Sequence, residues 1–435
     1  MEGEAPERTR DPVVVVDGVR TPFARQLGEL ARWDAIELGS LATAELLARN
    51  GIDPQVIDRI VYGQVVIQPE APNIAREVGL AAGVPARCDA VTVSRACATS
   101  LHAATDVARA LLGDEIQVGI AGGADSASIL PIGVDRTLAN ALLRASRAKS
   151  LGQRLRAFRR VRFRHLVPKP PAVRDYSTGL AMGEIAEQMA RDRSISRQAQ
   201  DSFAAASHQK AAAAWEAGRL DAEVFPCFPP PGYDPVHRDP PVRADTNEAK
   251  LAELRPAFDR RYGTVTAGNA PPLTDGAASL LLMRASRARQ LGLSPLGAIR
   301  SWALSGNDPF HDGLLGPAYT APAALDRAGL RLQDVDLIEF HEAFAAQVLA
   351  NLEAWRSAEF AREMLGRERP IGDLDPERLN VNGGSLAFGH PFAATGARLI
   401  VQALRELRRR DGQTALVTAC AAGGLGATLV LEAME

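Results

Sequence analysis

Residues Gly51-Ile52-Asp53-Pro54-Gln55-Val56-Ile57-Asp58-Arg59-Ile60-Val61-Tyr62 read closely with Gly329-Leu330-Arg331-Leu332-Gln333-Asp334-Val335-Asp336-Leu337-Ile338-Glu339-Phe340, 278 positions later. A second pair sets Ala103-Ala104-Thr105 beside Ala393-Ala394-Thr395. Each opens a helix pattern that leads to a strand and a small-residue turn, Ile120-Ala121-Gly122-Gly123 in one case and Thr418-Ala419-Cys420-Ala421 in the other. The order of elements is the same. A period of about 20 to 50 residues would indicate a solenoid, whereas a half-chain repeat indicates two similar halves facing each other. Chance likeness of short apolar strings is the alternative for either pair taken singly. The β-branched run Val13–Val16 suits a strand buried on both faces, and helix-like Leu38–Asn50 leads to strand-like Arg59–Tyr62. That alternation marks an α/β chain.

The length of 435 residues allows about two to three domains or one large two-lobed body. With 46% apolar and 23% charged residues the chain can bury a sizeable core and is not a disordered or fibrous one. A formal charge of -2 leaves no chain-wide field for nucleic acid or an anionic membrane. Four cysteines and an acidic start, Met1–Arg10, without an export signal point to free thiols in a reducing, cytoplasmic compartment. Gly412–Leu431 is uncharged over about the length of a membrane span, but its central glycines suit a turn between two buried strands. Between the halves, roughly Leu130–Asp259 does not repeat. Within it Arg136–Arg174 holds twelve Lys or Arg and no acid, with apolar residues at loosely helical spacing, the pattern of a basic amphipathic helix pair or of a solvated basic face. Phe225–Pro241 carries seven of the 28 prolines and reads as loop.

Cys97 follows a strand-like alternation and precedes an Ala-rich helix pattern. A helix N-terminus favours a thiolate and lowers a thiol pKa, which suits a nucleophile; a small buried apolar residue is the other reading. Cys420 lies at the matching strand end of the second half, so the repeat aims two thiols at one interface. Cys88 and Cys227 have no such setting. Among seven histidines, His390 is held between Gly389 and Pro391 near the glycine turn Asn382-Gly383-Gly384-Ser385. His341 follows the strand Leu337–Phe340, where an imidazole could donate to a developing oxyanion. No Cys-x-x-Cys or paired-His spacing marks a zinc site. No Gly-x-x-x-x-Gly-Lys-Ser/Thr run marks a nucleoside triphosphate site.

Together these segments resemble the thiolase family over nearly the whole chain, Val13–Met434. The motifs that carry the resemblance are the Cys97 segment, Met182-Gly183-Glu184-Ile185-Ala186-Glu187, Thr266-Ala267-Gly268-Asn269 with Thr274-Asp275-Gly276-Ala277-Ala278, His341-Glu342-Ala343-Phe344, Gly389-His390-Pro391 and Cys420-Ala421-Ala422-Gly423-Gly424. In detail they look like the thiolase subunits of fatty acid oxidation multienzyme complexes. Two positions depart from the family pattern. His341 stands where many thiolases have Asn, which bears on oxyanion geometry, and Ser94 replaces an Asn common three residues before the nucleophile, which bears on support of the Cys97 loop.

The resemblance implies a five-layer αβαβα fold of two similar halves plus a loop domain. Residues 11–129 with 260–297 would form the N-terminal half, 130–259 the loop domain that binds coenzyme A, and 298–435 the C-terminal half. It implies thiolytic cleavage of a 3-oxoacyl-CoA to acetyl-CoA and a shortened acyl-CoA, as in fatty acid β-oxidation. Cys97 would be the nucleophile, His390 its base, Cys420 the acid/base at the α-carbon and His341 an oxyanion donor. Coenzyme A would be a cosubstrate, with no permanently bound cofactor and no metal. The implied partners are a second copy of the chain and a hydratase/dehydrogenase chain docked on the basic segment. Membrane-surface contact through residues 136–174 is the runner-up, and nucleic acid is not expected. Competing readings are an acetoacetyl-CoA-forming biosynthetic thiolase, a ketoacyl synthase, against which Cys420 argues, and a non-catalytic lipid-binding or scaffold paralogue.

Overall fold

The computed structural model describes residues 11–171 and 174–434, so the expectation for the acidic start Met1–Arg10 falls outside the described residues. The first half opens with β1 (Val13–Arg20), the short β2 (Ala24–Arg25), α1 (Ala35–Arg49), β3 (Arg59–Gly63), α2 (Ile74–Ala81), β4 (Asp89–Val93), α3 (Thr99–Leu112) and β5 (Val118–Asp125). After it come α4 (Arg136–Ser146), α5 (Leu151–Ala157), α6 (Met182–Asp192), α7 (Arg197–Glu216) and α8 (Glu248–Ala252). The half is completed by β6 (Thr274–Arg284), and α9 (Ala285–Gln290) leads to the second half. That half comprises β7 (Gly297–Gly306), α10 (Gly316–Ala328), β8 (Leu337–Phe340), α11 (Ala345–Arg356), α12 (Ala358–Leu365), α13 (Ser385–Phe388), α14 (Thr395–Arg410), β9 (Thr414–Ala421) and β10 (Leu425–Ala433).

The strand order is β4-β3-β5-β6-β1-β7-β10-β9-β8, and the strands of the two halves pair at Val14–Ala298 and Val15–Gly297. Outward from that seam both halves read alike. An antiparallel pair comes first, β1 with β6 or β7 with β10, then β5 or β9, then a parallel neighbour, β3 or β8. Beyond β3 lies β4; beyond β8 only the single parallel bridge Ile338–Leu379 survives. The repeat read at 51–62 and 329–340 is borne out. Each stretch begins at a left-handed glycine, Gly51 or Gly329, passes through a short 3-10 turn, and enters β3 or β8.

The second pair needs correcting. Ala103–Thr105 lie a turn inside α3, whereas Ala393-Ala394 precede α14, so the counterpart of Thr395 is Thr99. Short Ala-rich strings keep their likeness when shifted along the chain by a helical turn. Gly412–Leu431 folds as strands β9 and β10 around Ala422–Gly424, as expected, and among the described residues no helix is long and apolar enough to cross a membrane.

Three cores define five layers. α1 and α2 cover the outer face of the first half through Leu38, Leu46, Ile74 and Val78. α10 and α11 cover the second through Leu325, Val348 and Trp355. α3 and α14 fill the space between the sheets with Leu101, Val107, Leu399, Ile400 and Leu404. Burying each such side chain contributes roughly 1.5–3 kcal/mol, so the two central helices hold the halves in register. They touch backbone to side chain at their N-termini, where the Ser100 hydroxyl accepts from Ala397 N–H at 2.8 Å. A Cβ on Gly396 would lie 2.6 Å from the Leu101 nitrogen.

Residues 126–273 take in the first half the place that Ala422–Gly424 take between β9 and β10. The expected basic helix pair is present as α4 and α5. Ala141 of α4 is buried, but much of the apolar surface faces outward, with Leu151 73%, Leu155 69% and nearby Phe163 91% exposed. Residues 225–241 are irregular and are anchored by Asp239, which forms a buried ion pair with Arg20 at 2.6 Å.

Candidate active site

The loops that precede α3 and α14 become neighbours because those helices cross at their first turns. The first carries Cys97. Ala96, immediately before it, sits at φ +42°, a conformation that costs a non-glycine residue roughly 1–2 kcal/mol. The turn is held by Thr99, whose Oγ1 accepts from Arg95 N–H at 2.8 Å and donates to the Ala96 carbonyl at 2.6 Å. Support of the loop thus comes from the helix side, from Thr99. The second loop carries His390. Gly389 stands at φ +96°, and any Cβ there would meet Thr274 Cγ2 at 2.2 Å. His390 N–H bonds the Pro272 carbonyl at 3.1 Å, and its Nδ1 meets Thr395 Oγ1 at 2.7 Å.

His341 comes from the end of β8, its N–H donating to Thr418 O on β9 at 2.9 Å. The two imidazoles lie side by side, 4.2 Å between centroids and tilted by 40°. The Cys97 sulfur and one nitrogen of each ring lie within 4.8 Å of one another. Each ring also keeps Nε2 without a protein partner among the described residues. Cys420 closes the group at the end of β9, fully buried and near enough for its ionisation to feel Cys97. The sequence candidates Cys97, His341, His390 and Cys420 therefore converge from both halves. Cys88 and Cys227 sit instead in the outer core of the first half.

Electrostatics correct one expectation. The Cys97 thiol is not lowered; burial pushes it up to about 12, although the Ala422 and Cys97 backbone N–H groups pull the other way. Burial also raises Cys420, with Cys97 adding to the effect. His390 is lowered to about 3 by burial and then by Arg398. His341 falls well below its usual value through burial, His390 and Arg398. The resting group is therefore neutral: two thiols and two imidazoles. A thiol and two imidazoles at this spacing could also ligate a metal ion, an arrangement that three separate loops hide from any spacing rule.

The supporting residues are Asp125, which no sequence motif marked, and members of three of the quoted motifs. Asp125, at the end of β5, accepts from Val65, Val66 and Ala393 N–H groups at 2.7–3.0 Å, tying the His390 loop to the first half. Glu342 gathers Asn380, Ser207 and Leu386 N–H, fixing the glycine turn before His390. Glu187 and Asn269 brace the 264–269 segment, which gives two of the sequence motifs a scaffolding task.

Comparison with known proteins agrees with this geometry. The family model described as thiolase, N-terminal domain, matches residues 13–286, and thiolase, C-terminal domain, matches residues 293–433. The chain is 55% identical over 425 residues to a 3-ketoacyl-CoA thiolase of Serratia proteamaculans, covering 98% of both chains. It is 56% identical to one of Erwinia tasmaniensis, covering 98% of this chain and 97% of that one. Among solved structures, human mitochondrial 3-ketoacyl-CoA thiolase in complex with CoA aligns with a TM-score of 0.81 at 30% identity, covering 98% of each chain. The acetyl-CoA acetyltransferase of Bacillus anthracis aligns at 0.83 and 31% identity, covering 98% of this chain and all of that one.

Proposed function

The chain belongs to the thiolase family and carries out an acyltransferase reaction, thiolytic cleavage of a 3-oxoacyl-CoA, and from that premise we propose how its own residues divide the work. The observation that carries the assignment is the convergence of Cys97, His341 and His390 within 4.8 Å, with Cys420 beside them. His390 takes the Cys97 proton as the sulfur bonds to the 3-keto carbon. The bond to the α-carbon breaks, and the departing acetyl-CoA enolate takes a proton from Cys420, leaving an acyl group on Cys97 as a thioester. The proton on His390 then restores Cys420. Coenzyme A next loses its thiol proton to His390, attacks the thioester, and frees Cys97, which regains that proton. His341 and the Ala422 N–H, which points toward the Cys97 sulfur, face the developing oxyanions.

Two thiols serve because bond formation and α-carbon protonation occur at different atoms. A test separates them. Cys420→Ala is expected to accept an acyl group on Cys97 from a simple acyl-CoA, yet to exchange tritium at C2 of acetyl-CoA at least about a hundredfold more slowly. Exchange at the wild-type rate in that variant would assign α-carbon chemistry to another residue.

The same reading makes residues 130–259 the loop domain that takes coenzyme A as cosubstrate, set between an N-terminal half of 11–129 with 260–297 and a C-terminal half of 298–435. The matched human thiolase in complex with CoA supports coenzyme A as the cosubstrate. The working assembly is a homodimer in the cytoplasm. Its exposed apolar and basic face on α4 and α5 docks a hydratase/dehydrogenase chain, for which the outward Leu151, Leu155 and Phe163 are the supporting observation.

A further inference from the structure

His341 leans on a pair of buried side chains that the catalytic steps above do not use. Its Nδ1 lies 3.0 Å from Ser385 Oγ. Arg398, fully buried on α14, donates from Nη2 to that same oxygen at 3.2 Å. The guanidinium is itself fixed. Its Nη1 donates to Gln402 Oε1 at 2.7 Å and lies 3.5 Å from Glu339 Oε2, and its plane rests near the Phe388 ring. Ser385 is equally immobile, because Glu342 accepts from the next N–H in the chain, that of Leu386, at 3.0 Å.

The direction of the Ser385–His341 bond follows from what each group can do. A guanidinium only donates, so Ser385 Oγ is an acceptor toward Arg398. Its single hydroxyl hydrogen then has one acceptor within reach among the described residues, the His341 Nδ1 lone pair. In the reverse arrangement Nδ1–H would donate to a serine that already accepts from Arg398. The hydroxyl hydrogen would then be buried without a partner, a loss that proteins avoid. A neutral imidazole whose Nδ1 accepts must carry its proton on Nε2. Nε2 is the atom of His341 that no group among the described residues engages.

We propose that Ser385 and Arg398 are positioning residues that lock His341 in the Nε2–H tautomer, making it a hydrogen-bond donor to the substrate oxygen and unable to act as a base. The inference rests on the proposed oxyanion role of His341 and deepens it. His390 Nδ1 lies 2.7 Å from Thr395 Oγ1, a hydroxyl that, unlike Ser385, accepts from no guanidinium among the described residues. The base role proposed for His390 requires its proton on Nδ1, donated to Thr395, with the Nε2 lone pair kept for Cys97. The two neighbouring imidazoles, tilted 40° to each other, thus take opposite roles in the proposal. An asparagine amide at position 341 would present a donor with no tautomer to choose. A histidine there needs the Ser385–Arg398 pair.

The experiment is a double-mutant cycle in steady-state thiolysis of acetoacetyl-CoA, using Ser385→Ala and His341→Asn in the full-length enzyme. Ser385→Ala alone is expected to lower kcat about 10- to 100-fold with little change in KM, as partial loss of one oxyanion donor would. In the His341→Asn background the same change is expected to cost less than about twofold, since the amide has no tautomer to lose. Equal losses in both backgrounds would overturn the proposal while leaving the oxyanion role intact. Unchanged kcat in both His341→Asn and His341→Ala would instead overturn the oxyanion role itself. A second measurement does not depend on any variant folding. In the wild-type enzyme labelled with nitrogen-15 histidine, His341 is expected to show an unprotonated Nδ1 and a protonated Nε2, and the opposite pattern would refute the lock.

Discussion

A helix N-terminus and two backbone N–H groups draw the Cys97 thiol toward ionisation, while enclosure opposes them, and the balance stands at about 12. Burial is the larger influence, and it outweighs the roughly 0.3–1 kcal/mol that a helix end supplies. In the proposed reaction the nucleophile is consequently a thiol that would lose its proton to His390 as it reacts. A raised thiol pKa means that the thiolate fraction keeps growing as pH rises toward that value. Alkylation of Cys97 by iodoacetamide is therefore expected to accelerate continuously from about pH 7 to 10, where a standing thiolate–imidazolium pair would level off near neutrality. Peptide mass spectrometry across that range checks it, and a plateau below pH 8 would contradict it. At this scale the sequence exposed Cys97, Cys420, His341 and His390, because their settings are written in adjacent glycines, prolines and strand ends. It did not expose Ser385, Arg398 or Asp125, whose partners lie on other elements, nor the sign of the Cys97 shift, which depends on what packs over the thiol.

At the scale of elements, the crossing of α3 and α14 decides where the chemistry sits. Each helix follows a reactive loop, and contact between their first turns through Ser100 and Gly396 brings Cys97 to His390. Gly396→Ala would place a methyl 2.6 Å from the Leu101 nitrogen, a backbone atom that cannot step aside cheaply. We expect a loss of about 1–3 kcal/mol in urea unfolding and at least a severalfold fall in kcat, as the two loops move apart. Wild-type stability with wild-type kcat would mean that the crossing does not set the site. The alternation of strands and helices was legible from apolar runs and glycine punctuation. The register of the second repeat was not, because Ala-rich helices look alike when shifted by a turn or more, and only the strands at Val118 and Thr414 fix the true pairing of Thr99 with Thr395.

In the whole molecule, two halves of one plan have been given different connections at equivalent places. Between β9 and β10 the chain turns tightly and carries Cys420 to the site; between β5 and β6 it departs for residues 126–273 and returns. That insertion leaves a basic face with exposed Leu151, Leu155 and Phe163, and its composition made it legible before its shape was known. Deleting residues 140–165 behind a short Gly/Ser bridge is expected to retain thiolysis and to abolish co-purification with a hydratase/dehydrogenase chain. Retained co-purification with loss of flotation on anionic vesicles would assign the face to lipid instead. The central claim is that the half-chain repeat exists to bring Cys97 of the first half to the histidines and second thiol of the other, with Cys97 taking the acyl group. The most direct measurement is peptide mass spectrometry after mixing the enzyme with a 3-oxoacyl-CoA in the absence of free coenzyme A. The account predicts one acyl group on the peptide containing Cys97 and one equivalent of acetyl-CoA released; an acyl group found only on Cys420 would contradict it.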